Sequence, residues 1–122
     1  MLESKSILIV DDEEGLLALL KYALEERGFE VSTANNAIDA GIAISSKLPA
    51  LILMDIKMPG INGFQACVAL KNNPKTKDTP VIIISAITDD SEISKAKKMG
   101  VADYFTKPLD IEKLINRIKE II

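Results

Sequence analysis

Three short runs of consecutive apolar residues constrain the fold of this chain more than any other feature. They lie at Ile7–Val10, Leu51–Met54 and Val81–Ile84, and segments of helical character separate them. A strand that is apolar at every position must be covered on both of its faces. The runs therefore favour a parallel sheet flanked by helices over an antiparallel sheet, in which apolar and polar residues alternate.

Five strand-helix units follow one another along the chain. The predicted strands are Ser6–Val10, Glu30–Ala34, Ala50–Asp55, Pro80–Ser85 and Val101–Phe105. The predicted helices are about Glu14–Arg27, Ala37–Lys47, Gly63–Asn72, Asp90–Met99 and a final segment that begins after Asp110. Such an alternation within 122 residues predicts one domain, residues 1–122, with an open, doubly wound parallel sheet and right-handed crossovers.

Composition narrows the class of protein. A net charge of -3 argues against a nucleic-acid surface, which needs a basic stripe. Histidine is absent, which excludes Ser/His and Cys/His catalysis, and the single cysteine, Cys67, cannot form an internal disulfide. No segment approaches the roughly 20 apolar residues of a membrane span, and no signal peptide is recognisable. We expect a cytoplasmic protein without a membrane or nucleic-acid partner.

Polar side chains follow the predicted strands at their carboxyl ends. Asp11 and Asp12 follow the first strand, Asp55 ends the third, Ser85 ends the fourth and Lys107 follows the fifth. In open α/β sheets these ends share one crevice, where ligands bind. Three close carboxylates repel one another unless a cation lies between them, and an oxygen-only set suits Mg²⁺. The sequence thus predicts a divalent-cation site with a lysine beside it.

Asp55 has two possible roles in this crevice. It could be a turn or capping residue, because Pro59-Gly60 and Asn62-Gly63 mark turns directly after it. It could instead be a carboxylate nucleophile that forms an acyl phosphate. Phosphoryl transfer requires positioning and neutralisation of charge, which a metal ion and Lys107 would supply. The neighbouring acids favour the second role.

Taken together, these residues resemble the receiver domains of two-component response regulators. The matching set comprises Asp11-Asp12, Asp55 with Met58-Pro59-Gly60, Ser85-Ala86 and Lys107-Pro108, and it spans essentially the whole chain. The resemblance implies a flavodoxin-like (βα)5 fold with strand order 2-1-3-4-5. It also implies that a partner histidine kinase or histidine phosphotransfer protein phosphorylates the domain, which then acts on a downstream effector.

The resemblance assigns the acceptor and the metal site. Asp55 would be the phosphorylation site. Asp12 and Asp55 would bind Mg²⁺ or Mn²⁺ through their side chains, Lys57 through its backbone carbonyl, and Asp11 directly or through water. Such a domain catalyses only its own phosphorylation and dephosphorylation, so it is not otherwise an enzyme.

The resemblance also assigns the phosphoryl contacts and a switch. Ser85, the backbone N–H of Ala86 and Lys107 would bind phosphoryl oxygens. Ser85 and Tyr104 would shift on phosphorylation and repack the face formed by the fourth helix, the fifth strand and the fifth helix. The bond between Lys107 and Pro108 is predicted to be cis, an isomer found in about 5–6% of X–Pro bonds. Ser85 replaces the commoner threonine but keeps the hydroxyl.

Three other functions compete with this interpretation. A phosphorylation-independent pseudo-receiver, acting only as an interaction module, usually lacks an acid or the lysine, and here both are present. A flavodoxin-like cofactor binder would need a Ser/Thr/Gly-rich loop after the first strand, where this chain has acids. A phosphatase with an aspartate nucleophile would need an acid at position 57, which is Lys57. A complete single-domain regulator and a receiver from a longer protein both fit the chain.

Overall fold

A computed structural model describes residues 5–58 and 61–122. Strands and helices alternate along these residues as the sequence predicts, except that two further short strands follow the third strand. In chain order, the elements are β1 (Ser6–Val10), α1 (Glu14–Glu26), β2 (Glu30–Ala34), α2 (Ala37–Ser46), β3 (Leu51–Asp55), β4 (Lys57–Met58), β5 (Ile61–Asn62), α3 (Gly63–Asn72), β6 (Val81–Ser85), α4 (Asp90–Lys98), β7 (Asp103–Thr106) and α5 (Ile111–Ile121).

The central sheet has five parallel strands in the order β2-β1-β3-β6-β7. Numbered among themselves, these strands have the order 2-1-3-4-5, so the predicted flavodoxin-like fold is confirmed. The short strands β4 and β5 form a separate antiparallel pair that the sequence did not predict. The turn predicted at Pro59-Gly60, between them, lies outside the described residues.

Two apolar clusters cover the sheet, one on each face. Successive residues of a strand point to opposite faces, so each apolar run supplies both clusters. Ile7 and Ile9 of β1 face α1 and α5, whereas Leu8 and Val10 face the side of α2, α3 and α4. β3 and β6 are buried at every position, as their unbroken apolar sequences predict.

The helices on the two faces of the sheet bury different amounts of apolar side chain. On one side, α1 buries four residues and α5 three, and these are large aliphatic residues except for Ala23. On the other side, α2 and α4 each bury only an alanine, Ala40 and Ala96. Ile38 and Ile42 of α2 are 75% and 60% exposed, and a groove of about 340 Å³ separates α2 from α3. The α1–α5 side is therefore the more completely packed half.

Local signals explain where the elements begin and end. Gly28 and Gly100 follow α1 and α4 with φ values of 89° and 86°, a conformation that favours glycine. The Asp110 side chain accepts a hydrogen bond from the Lys113 N–H and caps α5, which begins after Asp110 as predicted. β7 begins two residues later than expected, because pairing with β6 starts at Asp103. None of the described helices has the length and apolar character needed to cross a membrane.

Candidate functional site

Three carboxylates meet at the carboxyl ends of β1 and β3. Val10 pairs with Met54 in the sheet, so the residues that follow them, Asp11 and Asp55, lie side by side. One oxygen from each of Asp11, Asp12 and Asp55 lies within 4.8 Å of the others. Asp11 and Asp55 are buried, whereas Asp12 is exposed. The predicted acid cluster is therefore present in the structure.

Lys107 reaches this cluster from the end of β7. Its Nζ lies 2.9 Å from Asp55 Oδ2, 2.9 Å from Asp11 Oδ2 and 2.7 Å from Glu13 Oε1. Its backbone N–H donates to the Ser85 carbonyl, which holds the start of the loop against β6. The bond between Lys107 and Pro108 is cis, so this prediction is confirmed.

Glu13 is the contact that sequence reasoning missed. It belongs to the acidic run Asp11 to Glu14, but nothing in that run distinguishes it from Glu14. In the structure its side chain contacts Lys107, whereas Glu14 accepts a hydrogen bond from Asn35. The distinction depends on where the lysine arrives in three dimensions, which no local pattern encodes.

The electrostatics of the crevice favour a cation. Burial raises the pKa of Asp11 above its ordinary value, and the charge of Asp55 adds to this, although the Glu13 N–H and Lys107 oppose it. Burial by itself would lower the pKa of Lys107, but its contacts with the carboxylates of Glu13, Asp55 and Asp11 outweigh this effect and raise the pKa. The single ammonium of Lys107 thus contacts three carboxylates, and an additional positive charge would reduce the repulsion among them.

One buried oxygen of Asp11 is available to such a cation. Asp11 Oδ1 accepts a hydrogen bond from the Glu13 N–H at 3.0 Å. Asp11 Oδ2 has an ionic contact with Lys107 Nζ at 2.9 Å, but it accepts no hydrogen bond of good geometry from any residue that the structure describes. Lys107 is thus the one partner of this oxygen among the described residues. Together with its oxygen-only surroundings, this oxygen suits a hard divalent ion.

Both oxygens of Asp55 have donors. Oδ1 accepts the Lys57 N–H at 2.8 Å, and Oδ2 accepts Lys107 Nζ at 2.9 Å. These contacts fix the carboxylate at the end of the central strand β3. The metal contact assigned to the Lys57 carbonyl stays a prediction.

Ser85 and Tyr104 are linked through a single loop residue. Ser85 is completely buried at the end of β6, and its Oγ accepts the Ile87 N–H at 3.1 Å. The Tyr104 hydroxyl donates to the Ile87 carbonyl at 3.0 Å. Burial raises the pKa of Tyr104 above its ordinary value. Both predicted switch residues therefore hold the loop that begins at the exposed Ala86.

Comparisons with known proteins agree with this architecture. The family model described as response regulator receiver domain matches residues 7–119. The phosphate regulon transcriptional regulatory protein PhoB of Rhizobium meliloti is 36% identical over 116 residues, which cover 95% of this chain but 51% of PhoB. Protein PilH of Pseudomonas aeruginosa is 41% identical over 118 residues, which cover 95% of this chain and 96% of PilH. The chain thus spans about half of PhoB and nearly all of PilH.

A solved structure is similarly close. The response regulator signal receiver domain from Bermanella marisrubri is 31% identical and superimposes with a TM-score of 0.88. The match covers 98% of each chain.

Proposed function

Because this chain belongs to the response regulator receiver family of two-component signalling, we propose that it accepts a phosphoryl group on Asp55 in a Mg²⁺-dependent reaction. The observation that carries the proposal is the crevice itself. Asp55 is nearly buried, its two oxygens are positioned by Lys57 and Lys107, and two further acids lie beside it. Positioning and charge neutralisation are what phosphoryl transfer requires.

The acids in the crevice fit a divalent cation. Asp12 and Asp55 would hold Mg²⁺ or Mn²⁺ through carboxylate oxygens, Lys57 through its carbonyl, and Asp11 directly or through water. Support comes from the oxygen-only donor set and from the buried Asp11 Oδ2, which has no partner besides Lys107 among the described residues. When bound, the ion would offset the negative charge that accumulates on the phosphoryl oxygens.

Asp55 would act as the nucleophile. One carboxylate oxygen attacks the phosphorus of a phosphohistidine, the P–N bond breaks, and the imidazole leaves. Lys107 would exchange a contact with Asp55 for one with a phosphoryl oxygen, and Ser85 Oγ and the Ala86 N–H would contact the other oxygens. Water later hydrolyses the acyl phosphate and restores the carboxylate. The domain would catalyse only these steps on itself.

The proposed partners follow from this chemistry. A histidine kinase or histidine phosphotransfer protein would supply the phosphoryl group, and a downstream effector would recognise the phosphorylated face. PhoB is a transcriptional regulatory protein by name, but this chain corresponds to only half of it. We propose that residues 1–122 form one receiver domain that does not itself bind nucleic acid. The cytoplasmic location stays a prediction.

Phosphorylation of the purified chain tests the function. Incubation with acetyl phosphate and Mg²⁺ should add one phosphoryl group by intact mass, because the crevice offers one positioned nucleophile. Excess chelator should prevent the addition, since the acids would then repel the incoming anion. If no label appears at saturating Mg²⁺, the chain is instead a phosphorylation-independent pseudo-receiver.

The proposed switch involves α4, β7 and α5. Beryllofluoride with Mg²⁺ mimics the phosphoryl group, and its binding should draw Ser85 away from the Ile87 N–H and turn Tyr104 inward. Amide shifts in NMR spectra should therefore be largest, outside the crevice, along these three elements. Shifts of equal size on α1 and α2 would contradict this assignment.

A further inference from the structure

The contact between Glu13 and Lys107 has no place in the reaction described above. Glu13 Oε1 lies 2.7 Å from Nζ, a shorter distance than the 2.9 Å from Nζ to either Asp11 or Asp55. We propose that Glu13 is a positioning residue that competes with the phosphoryl group for the ammonium of Lys107. This inference rests on the proposed function and adds a determinant of how strongly the site holds its phosphoryl group.

Glu13 is fixed at the mouth of the crevice by its backbone. Its N–H donates to Asp11 Oδ1 at 3.0 Å, so the start of α1 is tied to the acid cluster. Glu13 is the N-cap residue of α1, but its side chain makes no capping hydrogen bond. The carboxylate is therefore free of a helix-capping role and reaches Lys107.

The ammonium of Lys107 has a limited number of hydrogen-bond donors. An ammonium carries three N–H groups, and three carboxylates surround this one. When Asp55 is phosphorylated, a phosphoryl oxygen requires one of these donors. Glu13 lies outside the group of three acids that could share a metal ion. Its negative charge would thus still be directed at Lys107 after the cation has offset the others.

The solvent exposure of the two side chains limits how strongly Glu13 can compete with the phosphoryl group for Lys107. The Lys107 side chain is 13% exposed, but that of Glu13 is 58% exposed, so solvent weakens the pair. Partly exposed ion pairs contribute about 0.2–1 kcal/mol, which corresponds to a change of up to about fivefold in a binding constant. Glu13 would accordingly adjust the affinity for the phosphoryl group without being essential to it.

Beryllofluoride affinity at saturating Mg²⁺ tests the proposal. Glu13→Gln should bind beryllofluoride about two- to fivefold more tightly than wild type, because the Glu13 carboxylate no longer competes for the Lys107 ammonium. Glu13→Asp keeps the charge but is one methylene shorter, so it should resemble the glutamine variant if contact with Nζ is what matters. Glu14→Gln is the matched control, since Glu14 contacts Asn35 instead, and it should bind like wild type.

A spectroscopic readout separates competition from a general effect on the fold. The side-chain nitrogen resonance of Lys107 in free protein should move in Glu13→Gln and stay in place in Glu14→Gln, while both variants unfold at the wild-type urea concentration. Equal affinities for wild type and Glu13→Gln, or an equal gain in Glu14→Gln, would overturn the role of Glu13 alone. Failure of wild type to bind beryllofluoride would overturn the proposed function, and the role of Glu13 with it.

Discussion

Asp55→Asn should lose essentially all phosphoryl uptake from acetyl phosphate in the presence of Mg²⁺. The amide oxygen can still accept the Lys57 N–H, so the end of β3 should keep its shape. The carboxamide has no anionic oxygen to attack phosphorus, and it removes one of the acids that would hold the cation. Intact mass spectrometry over a time course measures the effect directly.

A matched variant controls for the chemical change. Asp78→Asn makes the same replacement at an exposed position in the loop before β6, away from the crevice. It should label as fully as wild type. Full labelling of Asp55→Asn would show that Asp55 is not the acceptor, whereas loss of labelling in Asp78→Asn would show that the loss is not specific to Asp55.

Among the glycines that the structure describes, Gly63 is the one whose replacement by alanine should cause the largest loss of stability. Gly63 begins α3, and a Cβ atom there would overlap the Ile56 Cα atom and lie 2.7 Å from the Ile56 carbonyl oxygen. These are backbone atoms, so no side chain can rotate to make room. Overpacking of this kind costs typically 1–3 kcal/mol, and backbone overlap places the expected loss at about 3 kcal/mol or more.

Urea unfolding measures this loss, and another glycine provides the control. Gly41 lies in α2, and a Cβ atom there would have no atom within 4 Å outside its own stretch of helix. Gly41→Ala should therefore raise the free energy of unfolding by about 0.5–1 kcal/mol. Ile56 directly follows Asp55, so Gly63→Ala should slow phosphorylation as well. Unchanged unfolding of Gly63→Ala would mean that α3 can move away from Ile56 at little cost.

The sheet could be predicted because its strands carry an unambiguous signal. β1 and β2 begin and end at the expected residues, and β3 and β6 differ from prediction only at their first residue. The start of the fifth strand of the sheet is harder to predict, because Val101 and Ala102 are apolar like the residues of the other strands. They pack against the two clusters ahead of the ladder, which starts at Asp103. The pair β4–β5 escapes prediction, since two-residue strands show no periodicity.

The crevice could be predicted because it forms where strands end. Asp11, Asp55 and Lys107 follow adjacent or nearby strands, so topology alone brings them together. Glu13 could not be predicted, because its contact depends on the path of the loop after β7. The exposure of Ile38 and Ile42 could not be predicted either, because the apolar composition of α2 is typical of a helix that buries more of its side chains.

The unequal packing of the two faces has a consequence for motion within the domain. Sub-global opening is easiest where few large apolar side chains are buried, so amide hydrogen exchange should be faster through α2 and α4 than through α1 and α5. β7 is an edge strand of the sheet, and its side chains reach both apolar clusters. Tyr104 packs against the cluster on the side of α2 and α4, and its neighbour Phe105 packs against the cluster on the side of α1 and α5. The proposed rotation of Tyr104 would therefore be accommodated on the side of α2 and α4, while the more tightly packed side keeps α5 in place.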